Sequence, residues 1–198
     1  LMEQRIPESN KQDREDIQVI IEQSQRCAKI IRGLLTFSRA TPSDRGIIDL
    51  HEVLDKTLNL IKTSEKFYNI KLKSPDNCPP LRVEGDASQF QQVFLNMLIN
   101  AADAMNEKGT LTIECQVVQD DNKRCGQIVF TDTGTGIPEE NLGKLFDPFF
   151  TTKPVGKGTG LGLAVSHGII KHYGGKILVK SKVGEGTSFF IRVPLLEK

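Results

Sequence analysis

The chain has 198 residues, of which 38% are hydrophobic and 26% charged, as is usual for a soluble globular protein. Its 26 Lys and Arg residues balance 25 Asp and Glu residues, so the formal net charge is +1. This balance gives no reason to expect nucleic acid or an anionic membrane as a partner. No apolar run is long enough to predict a membrane-spanning helix within the chain.

The first predicted element is a long amphipathic helix over residues 14–39. Apolar or small residues recur there at alternating steps of four and three, at Ile17, Ile21, Ser24, Ala28, Ile31, Leu35 and Ser38. Such a seam favours association with another helix, which we expect to be dimeric, over packing against the helix's own domain. Pro42 and Gly46 interrupt the pattern, so residues 1–44 are predicted to form a helical arm separate from residues 45–198.

Beyond this break, strand and helix patterns alternate and end in two adjacent strands. Strand patterns occupy 46–49, 69–73, 81–83, 111–118, 127–131, 176–180 and 187–193. Helical patterns occupy 50–63, 161–173 and 87–105, the last with Asp86 as its predicted N-cap. This order predicts an α+β fold, a two-layer α/β sandwich with a mixed, largely antiparallel sheet.

The four cysteines are Cys27, Cys78, Cys115 and Cys125, and they show neither a pairing pattern nor a histidine at metal-ligand spacing. Disulfide frameworks are typical of short secreted chains, and the N-terminal residues do not resemble a signal peptide. We therefore expect four free thiols in a reducing cytoplasm.

The predicted helix over 87–105 carries two amides on one face, Asn96 and Asn100, four residues apart. Buried amides are costly without partners, and a hydrated Mg²⁺ bound to phosphates would provide such partners. Taken alone, an Asn that bridges two elements is the alternative interpretation.

Asp132 follows the apolar run Ile128 to Phe130 and is itself followed by Gly134 and Gly136. A carboxylate at this place can point into a cleft and accept a hydrogen bond from an exocyclic amine. The glycines would let a flat ring approach the backbone. An ordinary Asp-Gly turn is the alternative.

A second glycine-rich stretch, Gly-Lys-Gly-Thr-Gly-Leu-Gly at residues 156–162, directly precedes a predicted helix. Exposed backbone N–H groups at such a place favour phosphate. The stretch is not a P-loop, because Lys157 is followed by Gly158 rather than Ser or Thr. It is not a dinucleotide fingerprint either, because no strand precedes it and the third glycine position is Leu163.

These stretches, together with Phe-Asp-Pro-Phe-Phe-Thr-Thr-Lys at residues 146–153, resemble the N, G1, F and G2 boxes of sensor histidine kinases. Residues 184–189 resemble the final box of that family's ATP-binding domain, and the resemblance covers about residues 45–198. Residues 34–39 look like the end of the second helix of the dimerisation and phosphotransfer hairpin. Residues 100–105 resemble the nitrogen-regulation-type subgroup.

The resemblance implies the Bergerat ATP-binding fold, with ATP and Mg²⁺ as its ligands. By position, Asp132 would bind the adenine amino group beside Gly136, and Thr187 would assist through water. Asn100 would coordinate Mg²⁺, Asn96 would lie near the phosphates, and residues 138–158 would form a lid. The other implied ATP-binding positions are Asp103, Gly134, Ile137, Phe149, Thr152, Lys153, Lys157, Gly158, Thr159, Gly160, Leu161 and Gly162.

The residue at position 96 separates the two chemistries of this fold. The gyrase and Hsp90 branch uses a Glu there to activate water, and an amide cannot take a proton at neutral pH. We therefore expect phosphoryl transfer rather than hydrolysis, with Asn96 and Lys153 as the catalytic residues. Alternatives within the fold are a serine-type kinase like the anti-sigma factors, a mitochondrial-type protein kinase, and a pseudo-kinase that binds nucleotide as a signalling scaffold.

Asp103 departs from many histidine kinases, which carry Lys at this position. The positive charge at the phosphates is then expected from elsewhere, with Lys153 as the candidate. Lys153 and Lys157 are equally interpretable as solvated residues on the surface of the lid.

The phosphoacceptor His of this family precedes an acidic residue and, a few positions later, Pro. None of His51, His167 and His172 has this motif, and we expect them to be packed or surface residues. We expect a fragment of a longer kinase, since residues 1–5 look like a truncated helix, with the acceptor outside this chain. The resemblance implies a response regulator receiver domain as partner, a homodimer through the arm, and a cytoplasmic location whether or not the parent is membrane-anchored.

Overall fold

The computed structural model describes residues 13, 15–21, 24, 45–75, 78–154 and 158–196. Residues 15–21 and 24, within the helix predicted over 14–39, are helical, and so is residue 13 just before it. The rest of that helix, including residues 34–39, lies outside the described residues, so the helical arm and its association stay predictions. In the described ranges, no helix is long and apolar enough to cross a membrane.

Five strands form the main sheet, in the order β2-β4-β5-β7-β6. They are β2 (Asn69–Lys73), β4 (Lys108–Asp120), β5 (Lys123–Asp132), β6 (Lys176–Lys182) and β7 (Gly186–Pro194). The pair β2–β4 is parallel and the other three pairs are antiparallel, which confirms the predicted mixed, largely antiparallel sheet. Two further strands, β1 (Gly46–Asp49) and β3 (Arg82–Gly85), pair antiparallel in a separate ribbon.

Among the described residues from 45 onward, the helices are α1 (Leu50–Ile61), α2 (Ala87–Ala104), the short α3 (Glu139–Leu142) and α4 (Gly162–His172). Asp86 caps α2 as predicted, because its Oδ1 accepts a hydrogen bond from the Ser88 N–H at 2.7 Å. Asp49 caps α1 and also accepts from the Leu81 N–H at 3.1 Å, which ties the start of α1 to the chain before β3. Buried residues of α1, α2 and α4 form one core with the sheet.

The hairpin between β4 and β5 is tighter than the sequence predicts. The sequence predicts strands that end at residue 118 and resume at 127, whereas β4 continues to Asp120 and β5 begins at Lys123. Asp121 and Asn122 alone connect them, both with positive φ, at 47° and 62°. This is the backbone conformation of a type I′ turn, which Asp and Asn tolerate better than other non-glycine residues.

The expectation of four free thiols is wrong for two of the cysteines. Cys78, in the chain leading to β3, forms a disulfide with Cys115 of β4, with 5.4 Å between their Cα atoms. Their separation of 37 residues gives no local spacing signal, because only the fold brings them together. Cys125 is free and buried, and burial raises the pKa of its thiol.

Alternate residues of β5, β6 and β7 face the helices, and they include the core residues Phe130, Ile177 and Phe189. Polar residues occupy the same face at one end of these strands: Asp132, Ser181 and Thr187. Thr187 pairs with Asp132 on one side and with Ser181 on the other. The three side chains therefore form one polar row where the core ends.

Candidate nucleotide-binding site

The polar row begins with Asp132, whose side chain is almost fully buried, at 4% exposed. Its Oδ1 accepts hydrogen bonds from the backbone N–H groups of Gly134 at 2.8 Å and Thr187 at 3.2 Å. Burial raises the pKa of this carboxyl, and the two hydrogen bonds offset that effect only in part. Since both contacts among the described residues use Oδ1, Oδ2 can accept from a ligand.

Gly136 places the backbone next to the polar row. Its φ is +71°, and a Cβ at this position would lie 2.1 Å from the carbonyl oxygen of Lys182. That neighbour is backbone and cannot rotate away, so only glycine fits. Ile137 follows, and its N–H donates to the Ser181 hydroxyl at 2.8 Å. The loop after β5 is thus fixed against β6.

The two hydroxyls of the row are joined to each other. Ser181 Oγ lies 2.8 Å from Thr187 Oγ1 and donates to the carbonyl oxygen of Gly186 at 3.0 Å. Thr187 is 4% exposed, and its backbone N–H donates to Asp132 Oδ1. Asp132, Ser181 and Thr187 are thus held in fixed orientations.

Asn96 lies between α2 and the start of α4. Its Nδ2 donates to the carbonyl oxygen of Gly162 and to Ser166 Oγ, both at 3.1 Å. Ser166 in turn donates to the same carbonyl at 2.9 Å. Asn96 therefore joins α2 to the first turn of α4, next to the predicted phosphate-binding stretch.

Asn100 and Asp103, farther along α2, face the lid. Lys153 Nζ donates to Asn100 Oδ1 at 3.2 Å and to Asp103 Oδ2 at 2.5 Å. Lys66, from the 3-10 turn Glu65–Phe67, pairs with Asp103 Oδ1 at 2.5 Å. Burial raises the pKa of the Asp103 carboxyl, but its hydrogen bonds to Lys153 and Lys66 and their charges outweigh this and lower the pKa overall.

The predicted lid is held at two described points, one against the stretch before α4 and one against α4 itself. The Phe149 N–H donates to the Gly160 carbonyl at 3.0 Å, and both residues have positive φ, at 70° and 65°. A Cβ at Gly160 would lie 2.3 Å from the carbonyl carbon of Phe149. The Phe146 ring stacks on the imidazole of His167 in α4, with centroids 4.8 Å apart.

The predicted phosphate-binding stretch leads directly into α4. Leu161 caps this helix without a side-chain hydrogen bond, and its own N–H meets Thr159 Oγ1 at a long 3.4 Å. Gly158 packs against the side chains of Thr151 and Lys153. Thr152 is exposed, and Lys157 lies outside the described residues.

The histidines make contacts of the packed or surface kind that the sequence predicts. His51 pairs with Asp55 at 3.4 Å on α1. His172 accepts from the Arg45 guanidinium and meets the Tyr173 ring edge-on. His167 stacks on the Phe146 ring of the predicted lid.

Three residues near the predicted site were missed by sequence reasoning, namely Lys66, Ser166 and Ser181. Each is a single Ser or Lys without a motif, and only the fold brings it beside Asp103, Asn96 or Thr187. A separate cleft of about 340 Å³ between β1, α1 and Arg82 is lined by none of the predicted site residues.

The sequence matches the family model described as histidine kinase-, DNA gyrase B-, and HSP90-like ATPase over residues 85–197. The chain belongs to this family. The matched range contains α2 with both Asn residues, the stretch after Asp132, the lid and the start of α4. Its domain is thus an ATP-binding domain, and the predicted fold is confirmed.

Curated relatives of this ATPase-family chain include sensor kinases. It is 41% identical over 193 residues to the sensor kinase CckA of Brucella abortus (strain 2308), covering 91% of this chain and 20% of CckA. It is 33% identical over 181 residues to the sensor histidine kinase ZraS of Salmonella typhi, covering 91% of this chain and 38% of ZraS. The chain therefore spans well under half the length of these curated relatives.

A solved structure of the histidine kinase ThkA in complex with the response regulator protein TrrA has a similar fold. The TM-score is 0.72 and the identity 28%, over 96% of this chain and 53% of that one. Together with the sequence relatives, this similarity identifies the domain as the histidine kinase type within the ATPase family.

The side chains of this domain fit the Mg²⁺ that the family implies. Asn100 Oδ1 is a hard oxygen donor and already faces a cation, the ammonium group of Lys153. Across residues 45–75, 78–154 and 158–196, no group of three or more His, Cys, Asp or Glu could hold a metal by itself. Phosphate and water oxygens would therefore complete the coordination, as Mg²⁺ commonly requires.

Proposed function

We propose that this chain is the ATP-binding and phosphoryl-donating part of a sensor histidine kinase of the nitrogen-regulation-type subgroup. It would pass the γ-phosphoryl group of ATP to a His outside this chain. The observation that carries the proposal is the buried Asp132 carboxylate, whose Oδ1 is held by two backbone N–H groups. Its Oδ2 then accepts from the adenine amino group.

The adenine ring would lie against the loop after β5. Gly136 lets this loop lie close to β6, because a Cβ at this position would clash with the carbonyl oxygen of Lys182. Gly134 and Ile137 flank Gly136, and Thr187, which pairs with Asp132 in the strand register, contributes its hydroxyl. These residues supply shape and hydrogen bonds for the base, and the phosphates would extend towards α4.

At the phosphates, Asn96 and Lys153 are the proposed catalytic residues, and Asn96 also joins α2 to the start of α4. Its Nδ2 is used by Gly162 and Ser166, and an amide oxygen is a poor proton acceptor at neutral pH. The backbone N–H groups of Gly160, Leu161 and Gly162 would bind the phosphates. Without a base for water at position 96, positioning and charge would favour transfer to a protein acceptor.

Asn100 would hold Mg²⁺, which supplies positive charge that neutralises the phosphates when bound. Lys153 would leave Asn100 as that site fills and remain near the phosphates as a second cation. Lys66 supports this exchange, because it keeps Asp103 paired after Lys153 moves. Asp103 would then not repel the phosphates as a lone carboxylate. Phe149, Thr152, Lys157, Gly158 and Thr159 are proposed as the lid side of the site.

The partners of the proposed kinase follow from the same family. The helical arm would belong to a dimerisation hairpin and give a homodimer, and the phosphorylated His would supply a response regulator receiver domain. Because ATP is the donor, the reaction would take place in the cytoplasm. The ThkA–TrrA complex supports the choice of a response regulator as the partner class.

The test is phosphoryl transfer in two steps. Calorimetric titration of the chain with ATP and Mg²⁺ should show binding, and absence of binding would contradict the proposal. The chain is then mixed with γ-labelled ATP and a separate histidine kinase hairpin, with a hairpin whose acceptor His is replaced by Gln as control. Label on the first hairpin alone is expected. Nucleotide binding with no label on either hairpin would favour the pseudo-kinase scaffold instead.

A further inference from the structure

We infer that Ser181 is a positioning residue that sets the base specificity of the site by orienting the Thr187 hydroxyl. The inference rests on the proposed function, because it assumes that a purine base meets Asp132 and Thr187. Ser181 lies in β6, outside the glycine-rich stretches, and would not itself touch the base. It belongs to the polar row and is the neighbour of Thr187 in strand register.

The direction of the hydrogen bonds follows from the partners of Ser181. A carbonyl oxygen can only accept, so the contact between Ser181 Oγ and the Gly186 carbonyl uses the single Ser181 hydroxyl proton. Ser181 Oγ also accepts a hydrogen bond from the Ile137 N–H. We therefore assign the proton in the 2.8 Å contact between the two hydroxyls to Thr187, because donation by Ser181 would leave its contact with the Gly186 carbonyl without a proton. Thr187 is thus prevented from donating to a ligand, and its oxygen can only accept.

An acceptor-only Thr187 changes what the site can recognise. Asp132 Oδ2 is an acceptor, and Thr187 lies directly opposite Asp132 in the sheet register. Two acceptors side by side suit an exocyclic amino group, which has two N–H donors. They repel the carbonyl oxygen of a 6-oxopurine, since neither Asp132 nor Thr187 can donate a hydrogen bond to it. The orientation of Thr187 therefore favours a 6-aminopurine over a 6-oxopurine.

Removing the Ser181 hydroxyl would release this constraint. The Thr187 proton would lose its acceptor, the hydroxyl could rotate, and it could then donate to a 6-oxo group. A purely structural role for Ser181 predicts a different result, because a looser site would weaken both kinds of base together. The ratio of the two affinities distinguishes these cases.

The experiment compares Kd values for ATP and inosine triphosphate, both with Mg²⁺, for the wild-type chain and Ser181→Ala. The wild-type chain is expected to prefer ATP, and in Ser181→Ala the preference should fall about tenfold, the effect of one hydrogen bond. Ser188→Ala is the matched control, because Ser188 and Thr131 form the same kind of cross-strand hydroxyl pair, at 2.9 Å, on the opposite face of the sheet. Its preference should equal that of the wild type.

A second arm uses Thr187→Val, which removes the hydroxyl that Ser181 orients. In that background, Ser181→Ala should leave the ratio unchanged. Three results would overturn the inference. The ratio of the two Kd values could stay unaltered in Ser181→Ala, or it could change equally in the Ser188→Ala control. It could also change further when Ser181→Ala is added to Thr187→Val. If alanine unfolds the chain, Ser181→Cys gives the same comparison, because its thiol fills the space but bonds weakly.

The outcomes also separate this inference from the proposed function. A wild-type chain that binds neither nucleotide contradicts both. A chain that binds ATP and loses it in Asp132→Asn, yet keeps its base preference in Ser181→Ala, contradicts only the role of Ser181.

Discussion

The carboxylate of Asp132 is buried, and burial raises its pKa above the usual value for Asp. Such a group binds its proton more tightly in the folded chain than in the unfolded chain. The free energy of unfolding therefore falls as the pH rises from the ordinary Asp pKa through the raised one. Above the raised pKa, the ionised Asp132 costs stability in the nucleotide-free protein, a cost consistent with its proposed role in binding.

Asp132→Asn tests whether the carboxylate lowers the stability of the free chain and strengthens ATP binding. The amide oxygen can still accept from the Gly134 and Thr187 N–H groups, while a donor replaces Oδ2. We expect thermal unfolding at neutral pH to occur at the same or a higher temperature than in the wild type, with a weaker dependence on pH in the acid range. ATP affinity measured by calorimetry should fall by about 1–3 kcal/mol, because the adenine amino group loses its acceptor. Undiminished affinity would refute the proposed adenine contact.

Among the structural elements, the lid depends on its junction with α4. Phe149 and Gly160 approach each other closely, and both residues have a backbone conformation that is unfavourable for most side chains. A junction of this kind fixes where the glycine stretch enters α4, and thus where its N–H groups point. The contact of Phe146 with His167 secures the lid at a second place.

Gly160→Ala should separate the lid from the start of α4. The added methyl would meet the Phe149 backbone at 2.3 Å, and φ at this residue is +65°, so either the lid or the glycine stretch must shift. We expect ATP affinity to fall by at least about tenfold, since the N–H groups proposed to bind the phosphates would lose their alignment.

Gly143→Ala is the control within the lid. Gly143 has φ −68°, and a Cβ there has no neighbour within 4 Å. Its ATP affinity should match that of the wild type, and its stability should be equal or up to about 1 kcal/mol higher. Equal losses of ATP affinity in both variants would show that the lid is sensitive to any substitution, against the specific role of the Phe149–Gly160 junction.

At the scale of the whole molecule, the disulfide between Cys78 and Cys115 links the chain before β3 to the main sheet. Closing a loop of 37 residues should stabilise the fold by up to about 4 kcal/mol through the lost entropy of the unfolded chain. We expect a reductant to lower the thermal unfolding temperature of the wild type, and Cys78→Ser to lower it by a similar amount. The reductant should have no further effect on Cys78→Ser. A wild type insensitive to reductant would show that the bond contributes nothing.

Much of this architecture could be predicted from the sequence, because period and spacing are local signals. The Asp86 cap, the order of helices and strands, and the mixed sheet follow from such patterns. The disulfide, Lys66 and Ser181 could not be predicted, because each acquires its partner only through contacts between residues distant in the chain. The type I′ turn at Asp121 and Asn122 was missed for another reason, since polar residues near it suggested a longer loop.

The position of the polar row at the end of the core has a consequence for errors in strand pairing. Side chains alternate between the two faces of a sheet, so a slip of one residue in β5 would replace Asp132 on the helix-facing side with its neighbour Thr131. The same slip would turn Phe130 away from the core. A misregistered sheet would thus lose both its buried aromatic ring and the acid proposed to bind the nucleotide. Correct burial of the core thereby guarantees that the acid faces the site.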